Sequence, residues 1–342
     1  MILRNSRRAT RAAVQCAAAA LIVGVLPALA GAGVASAGPT SNPAQTDNFK
    51  VHSPSMDRDI PIQVLVPKNQ DIESPVFYLL NGAGGGEDSA TWSAQTDATD
   101  FFKDKQVFVV TPLEGAFSYY TDWNEPDPGL AKNLGNNGVN KWQTFLTEEL
   151  PKAIDAKYNV NGKQSLAGIS MAGSSVLDLA IQAPTLYSSI GAYSGCAMTS
   201  DPLGSKGVQL VTTVGGADPT NMWGPVGGPQ WVEHDPYVNA DKLPRVPMFI
   251  STGSGLPGEH DNLGNWRVKE DTAVLANQII VGGGIEAITS ACTHMLQLKT
   301  DSLGMTNIHY DFPVGGSHSW GYWQDDLSQS WPMLSAPLYA TD

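Results

Sequence analysis

Basic side chains are scarce in this chain. Twenty Lys and Arg stand against 33 Asp and Glu, giving a formal net charge of -13. A surface of that sign repels nucleic-acid phosphates and anionic lipid headgroups, so neither is expected as a main partner. No ligand loop with calcium spacing appears, and no metal or organic cofactor is expected. Internal repeats are absent, and no linker is long enough to separate a second domain. Cysteine is limited to three residues in 342. Past the first forty residues no apolar run approaches the ~18 needed to span a bilayer, so no stable membrane span is expected.

What is present begins with a basic, acid-free start, "MILRNSRRATRAA", followed by the apolar "CAAAALIVGVLPALAGAGV" and by Ala35-Ser36-Ala37. That order predicts a secretory signal peptide over residues 1–37, cleaved after Ala37. The remaining 305 residues, with Arg4, Arg7, Arg8 and Arg11 gone, carry a net charge of -17 and suit one large domain outside the cytoplasm. Cys16 leaves with the signal. Cys196 and Cys292 remain, an even pair in an oxidising compartment, and a disulfide between them is expected. Residues 38–48, polar and turn-rich, predict a mobile N-terminus, with a single domain over 49–342.

Short apolar runs bounded by Gly or Pro then alternate with helical spacing. Strands are predicted at 60–67, 75–82, 106–112, 165–170, 189–195, 246–252 and 308–313. Helices are predicted at 141–158, interrupted by Pro151, at 174–184, and at 271–296 with a break at its glycines. The pattern predicts an α/β fold with a mostly parallel central sheet and helices on both faces. The Gly/Asn/Pro-rich excursion 113–140 is expected over the site at the carboxyl ends of the strands. Trp331 and Tyr339, near the C-terminus, are read as packing residues.

Between a predicted strand and a predicted helix lies "LAGISMAGSS" (166–175). A nucleophile elbow needs that context, with small residues two before and two after the serine; Gly168 and Ala172 flank Ser170 at those positions. Its geometry would aim the helix N-terminus and the Met171 amide at a developing oxyanion. "LLNGAGGGED" (79–88) offers Ala83 as the second donor; it lacks the Lys-Ser/Thr of a phosphate-binding loop, and a plain flexible turn is the bland alternative. In this order of residues the base is a late histidine. Of six, His318 in "GGSHSWGYW" fits best, because His52 is too early, His234 and His260 precede the last strand, His294 is helical and His309 alternates within a strand. For the acid, position after the strand ending at 252 favours Glu259 or Asp261, while Glu286, after "VGGG", is the other candidate and periodicity does not choose between them.

These residues resemble the secreted mycolyltransferases of mycolic-acid-containing actinobacteria, the antigen 85 family. The resemblance rests on "SPSMDRDIPIQV", "FYLLNG", "YYTDW", "KWQTFLTEELP", "GISMAGSS", "NMWGP", "STGSGLPGE" and "GSHSWGYW", spread over most of the chain. It implies an α/β-hydrolase fold and a Ser170–Glu286–His318 triad, with Glu286 lying 32 residues before the histidine and Glu259 in reserve. It implies Met171 and Ala83 as backbone oxyanion donors, and substrate contacts at Asn81, Gly82, Ser317 and Trp320. The implied activity is mycolyl transfer from trehalose monomycolate, through a seryl ester, to a second trehalose glycolipid or to cell-wall arabinogalactan, by a monomer of the cell envelope. The family's sugar-contacting Asp is Asn81 here, and an Arg near its oxyanion donor is replaced by Gly84. A secreted carboxylesterase shares every named residue, and a non-catalytic wall- or matrix-binding member is the alternative from another class.

Overall fold

The computed structural model describes residues 44–340. The expected signal peptide and most of the segment 38–48 lie outside the described residues. Among the described residues eight strands form one sheet: β1 (Gln45–Ser53), β2 (Arg58–Val66), β3 (Ser74–Leu80), β4 (Phe108–Pro112), β5 (Val160–Ile169), β6 (Ile190–Tyr193), β7 (Met248–Ser251) and β8 (Ile308–Asp311). Their spatial order is β1-β2-β4-β3-β5-β6-β7-β8. The pairs β1–β2 and β2–β4 are antiparallel, and every other pair is parallel.

The sequence "SPVFYLL" of β3 is buried along its whole length, and its two-residue period divides it between two cores. Val76, Tyr78 and Leu80 join one core with Trp142, Phe145 and Val176. Phe77 and Leu79 join the other with Trp92, Phe102 and Trp331. Each such side chain contributes about 1.5–3 kcal/mol by leaving water. This double burial explains why the central strands read as continuous apolar runs. Trp331 packs edge-on against Phe77, Phe101 and Phe102, as a packing residue should. Tyr339 is partly exposed and donates its hydroxyl to the Gln106 carbonyl.

Three elements depart from the sequence reading. Residues 45–48, expected to be mobile, pair with 63–66 as the start of edge strand β1; edge pairing uses the backbone, so polar side chains do not prevent it. Pro151 does not interrupt its helix. It sits in the first turn of Leu150–Lys157, immediately after a π-turn over Phe145–Glu149. The glycines after Val281 do not break theirs either. Thr272–Asn277 continues through a π-turn, Gln278–Gly282, into Gly283–Ser302. What Gly283 supplies is room: a Cβ there would lie 2.5 Å from the Gly255 carbonyl oxygen.

The helices that carry the site are α1 (Met171–Gln182), α2 (Gly283–Ser302) and α3 (Trp320–Ser335). α1 starts directly at the end of β5 and is buried from Met171 to Ala180. The whole helical stretch Thr272–Ser302 is apolar and long enough, by length and composition, to cross a membrane, which the sequence reading did not foresee. Its inner face, with Glu286, Cys292 and Leu296, is nevertheless built into the domain.

A disulfide joins Cys196, just beyond β6, to Cys292 in α2, across 96 residues of chain. A cross-link of that span restricts the unfolded chain strongly. Replacing both cysteines by serine is expected to lower the unfolding free energy by about 2–5 kcal/mol, read from urea denaturation of the non-reduced proteins.

Candidate active site

Ser170 is the hinge between β5 and α1, with φ 56° and ψ -121°. A non-glycine residue rarely adopts this region; here the turn is held because the Ser170 amide donates to the Tyr193 carbonyl at 2.8 Å. The flanking small residues are needed because the turn is tight: a Cβ on Gly168 would come within 2.8 Å of the Ala172 Cβ. The serine hydroxyl thus stands at the carboxyl end of the central strand, above the start of a buried helix.

His318 comes from the loop between β8 and α3. Its Nε2 lies 2.7 Å from Ser170 Oγ, and its Nδ1 lies 2.6 Å from Glu286 Oε2. With the Nδ1 proton donated to Glu286, Nε2 is left to accept the serine proton. The His318 amide donates to the Gly282 carbonyl at 3.2 Å, and Trp323 meets the imidazole edge-on at 4.9 Å.

Glu286 projects from the first turn of α2 and is 1% exposed. Its other oxygen, Oε1, accepts from Ser194 Oγ (2.7 Å), Thr252 Oγ1 (3.0 Å) and the Gly253 amide (2.6 Å). Trp323 Nε1 in turn donates to Ser194 Oγ at 2.9 Å. Burial opposes ionisation of this carboxyl. The hydrogen bond and charge of His318, with those from Ser194 and Gly253, outweigh it and hold its pKa below the ordinary value.

The Gly-rich loop after β3 runs beside the nucleophile, since a Cβ on Gly82 would lie 3.4 Å from that of Ser170. Among the described residues neither the Ala83 nor the Met171 amide has a hydrogen-bond partner. The Ala83 carbonyl accepts from the Phe117 amide, and Met171 Sδ accepts from the Tyr119 amide, so the excursion 113–140 packs against both residues. Gly85, at φ +63°, lets the loop approach it, as a Cβ would lie 2.3 Å from the Ala116 nitrogen.

Ser170, His318 and Glu286 are therefore brought together, with Gly82 and Ala83 beside them. Trp320 is half-buried at the start of α3, edge-on to Trp92 and Trp323. Three expectations change. Asn81 is fully buried: its amide nitrogen donates to the Pro112 and Gly85 carbonyls, and its oxygen accepts from the Trp92 amide. It therefore braces the Gly-rich loop and has no free group for a sugar. Ser317 is 1% exposed and donates to Asp261 at 2.5 Å, so it too faces inward. Glu259 is exposed and lies beside His260, not His318. Its Oε1, His260 Nε2 and an Asp325 oxygen come within 4.8 Å of one another, a set that shares no member with the Ser170 row; His260 there pairs with Asp325 at 2.7 Å. Sequence reasoning missed Ser194, Thr252 and Gly253. Thr252 and Gly253 fall in "STGSGLPGE", which served the resemblance without pointing to this role; their place, like that of Ser194, directly after a strand is the signal that could have suggested them.

Sheet order, the strained serine after β5 and its hydrogen-bonded row place the chain among serine enzymes of the α/β-hydrolase fold. The profile of the Esterase family, described as "Putative esterase", matches residues 53–334, and the chain belongs to that family. It is 32% identical over 97% of its length to diacylglycerol acyltransferase/mycolyltransferase Ag85A of Mycobacterium tuberculosis, covering 92% of that protein. It is 31% identical to the Ag85B counterpart of Mycolicibacterium smegmatis, covering 97% of this chain and 96% of that one. Among solved structures it superposes on Mycobacterium tuberculosis MPT51 (FbpC1) with a TM-score of 0.69 at 25% identity, over 86% of this chain and 99% of that one. A ferulic acid esterase shares the fold, with a TM-score of 0.53 at 18% identity, covering 86% and 98%.

Two outcomes test the geometry. Glu286→Gln should lower kcat on a soluble acyl ester by about 10³–10⁴-fold, while Glu259→Gln stays near the parent value. The depressed pKa of Glu286 contributes stability that is present above the unfolded carboxyl value of about 4.3 and is lost as pH falls through its lower folded value. The melting temperature should therefore drop below about pH 4, and less steeply in Glu286→Gln than in the parent.

Proposed function

We propose that this chain is a secreted serine acyltransferase that moves a mycolyl group from trehalose monomycolate to a second trehalose glycolipid or to the arabinan of cell-wall arabinogalactan. The observation that carries the reading is the continuous row Ser170–His318–Glu286 in a chain 32% identical, over 97% of its length, to proteins named for mycolyl transfer. The disulfide fits an extracellular protein, in keeping with export.

The chemistry proceeds in two halves. His318 Nε2 takes the proton of Ser170 as Oγ attacks the ester carbonyl. The amides of Met171 and Ala83 receive the negative charge that develops on the carbonyl oxygen, each contributing about 3 kcal/mol. Glu286 holds the ring and balances the imidazolium. The C–O bond to trehalose breaks, the leaving oxygen takes the proton from His318, and an ester on Ser170 remains. An acceptor sugar hydroxyl then gives its proton to Nε2 and attacks that ester, and His318 returns the proton to Ser170. Gly82 and Trp320 border the space for the donor.

The surroundings suit an uncharged polyol. A Cβ on Gly84 would lie 2.1 Å from Asp88 Oδ2, so an acid occupies the space beside the residue that replaces the family's Arg. Incubating the mature protein with a long-chain p-nitrophenyl acyl ester, with and without free trehalose, should yield mainly acylated trehalose when acceptor is present. Free fatty acid as the dominant product under both conditions would refute the transferase reading. Ser170→Ala should abolish both products and the labelled adduct formed with a fluorophosphonate.

A further inference from the structure

The second carboxylate in this region, Asp261, is 8% exposed and takes no part in the steps above. It accepts four hydrogen bonds: Ser317 Oγ (2.5 Å) and Gln278 Nε2 (2.7 Å) on Oδ1, and Tyr322 hydroxyl (2.6 Å) and the Gly258 amide (2.8 Å) on Oδ2. The donors come from four places. Ser317 immediately precedes His318. Gln278 opens the π-turn whose last residue, Gly282, accepts the His318 amide. Tyr322 lies in the first turn of α3, and Gly258 in the loop after β7.

We propose that Asp261 is a positioning residue for His318. It acts on both sides of the histidine backbone: through the Ser317 side chain on one, and through the π-turn that aims the Gly282 carbonyl on the other. The demand is for a carboxylate in particular. Each oxygen faces one donor that cannot accept, Gln278 Nε2 on Oδ1 and the Gly258 amide on Oδ2, so an amide nitrogen at either Oδ position would lose that bond and keep only a hydroxyl that must turn to accept. The backbone pairs Gly255 N–Gly316 O and Gly316 N–Leu256 O join the same two loops, so the carboxylate fixes an approach that the main chain has already brought close. The glycine at 258 belongs to this arrangement, because a Cβ there would lie 2.5 Å from the Tyr322 hydroxyl oxygen. A histidine displaced by a fraction of an ångström still binds Glu286 but meets the serine proton poorly, and misplacement on the ångström scale costs about 100-fold in rate.

This inference rests on the Ser170 acyl-enzyme reading, and its test keeps the two apart. Asp261→Asn and Ser317→Ala are prepared in the full mature chain. Fluorophosphonate titration counts competent sites; kcat and KM are measured on a soluble p-nitrophenyl acyl ester and expressed per titrated site. The expected result is a loss of about 10- to 100-fold in kcat and in the labelling rate for Asp261→Asn, a smaller loss for Ser317→Ala, and KM within about twofold of the parent. A purely structural role would lower the melting temperature or the number of competent sites and leave the rate per site unchanged; that result overturns the proposal. If Asp261→Asn does not fold, Ser317→Ala, which removes one bond only, decides in the same way. Failure of the parent itself to label at Ser170 would sink the acyl-enzyme reading, and the positioning role would fall with it.

Discussion

Glu286 is a carboxylate enclosed almost completely by protein, and it still favours its charged form. Removing such a group from water costs several kcal/mol unless its lone pairs are satisfied. Here three donors converge on Oε1, which leaves Oε2 to the imidazole alone. That division fixes the ring's tautomer as well as its angle. It also dictates much of the neighbouring architecture. Ser194 must leave β6 at φ 52° to aim its hydroxyl, Thr252 and Gly253 must follow β7 directly, and α2 must approach their loop closely enough that Gly283 carries no side chain.

The parts of this arrangement that are local in the chain were legible in the sequence. Ser170 announced itself because a strand, a sharp turn and a helix impose small residues at 168 and 172, a requirement written within five positions. His318 was legible from its late, Gly/Ser-rich loop. Glu286 was not, because what makes it the acid is three donors from two other strand ends and a helix that enters through a π-turn. Position after a strand favoured Glu259 or Asp261, and only the family resemblance selected Glu286. Asn81 and Ser317 show the same limit in reverse. Both stand where the family resemblance implies a substrate contact, yet burial turns each toward the protein's own backbone or carboxylate.

Glycine was misread for a related reason. In "VGGGIEAIT" it suggests a helix break, since glycine lowers helix propensity by about 1 kcal/mol per residue. That cost is small beside the stabilisation that tertiary packing supplies. The helix continues, and the missing side chain at Gly283 lets the loop carrying Gly255 pack against it, while the Gly282 carbonyl accepts the His318 amide. Propensity describes an isolated helix, whereas this one is held by what touches it.

The acidic character of the chain takes a specific form near the nucleophile. Glu87 accepts the amides of Gly115 and Ala116, which ties the Gly-rich loop to the 113–140 excursion. Asp88 is exposed on the same loop, within a few residues of Ala83. Carboxylates beside an oxyanion site raise the cost of bringing in a phosphate or a second carboxylate, whereas a neutral sugar presents hydroxyls that can donate to them. A charge-neutral acyl donor and a charge-neutral acceptor then meet the same rim on equal terms. The transfer proposed above, with sugar on both sides of its reaction, would use that equality, because the leaving alcohol of the first half-reaction and the attacking alcohol of the second must occupy one place in turn.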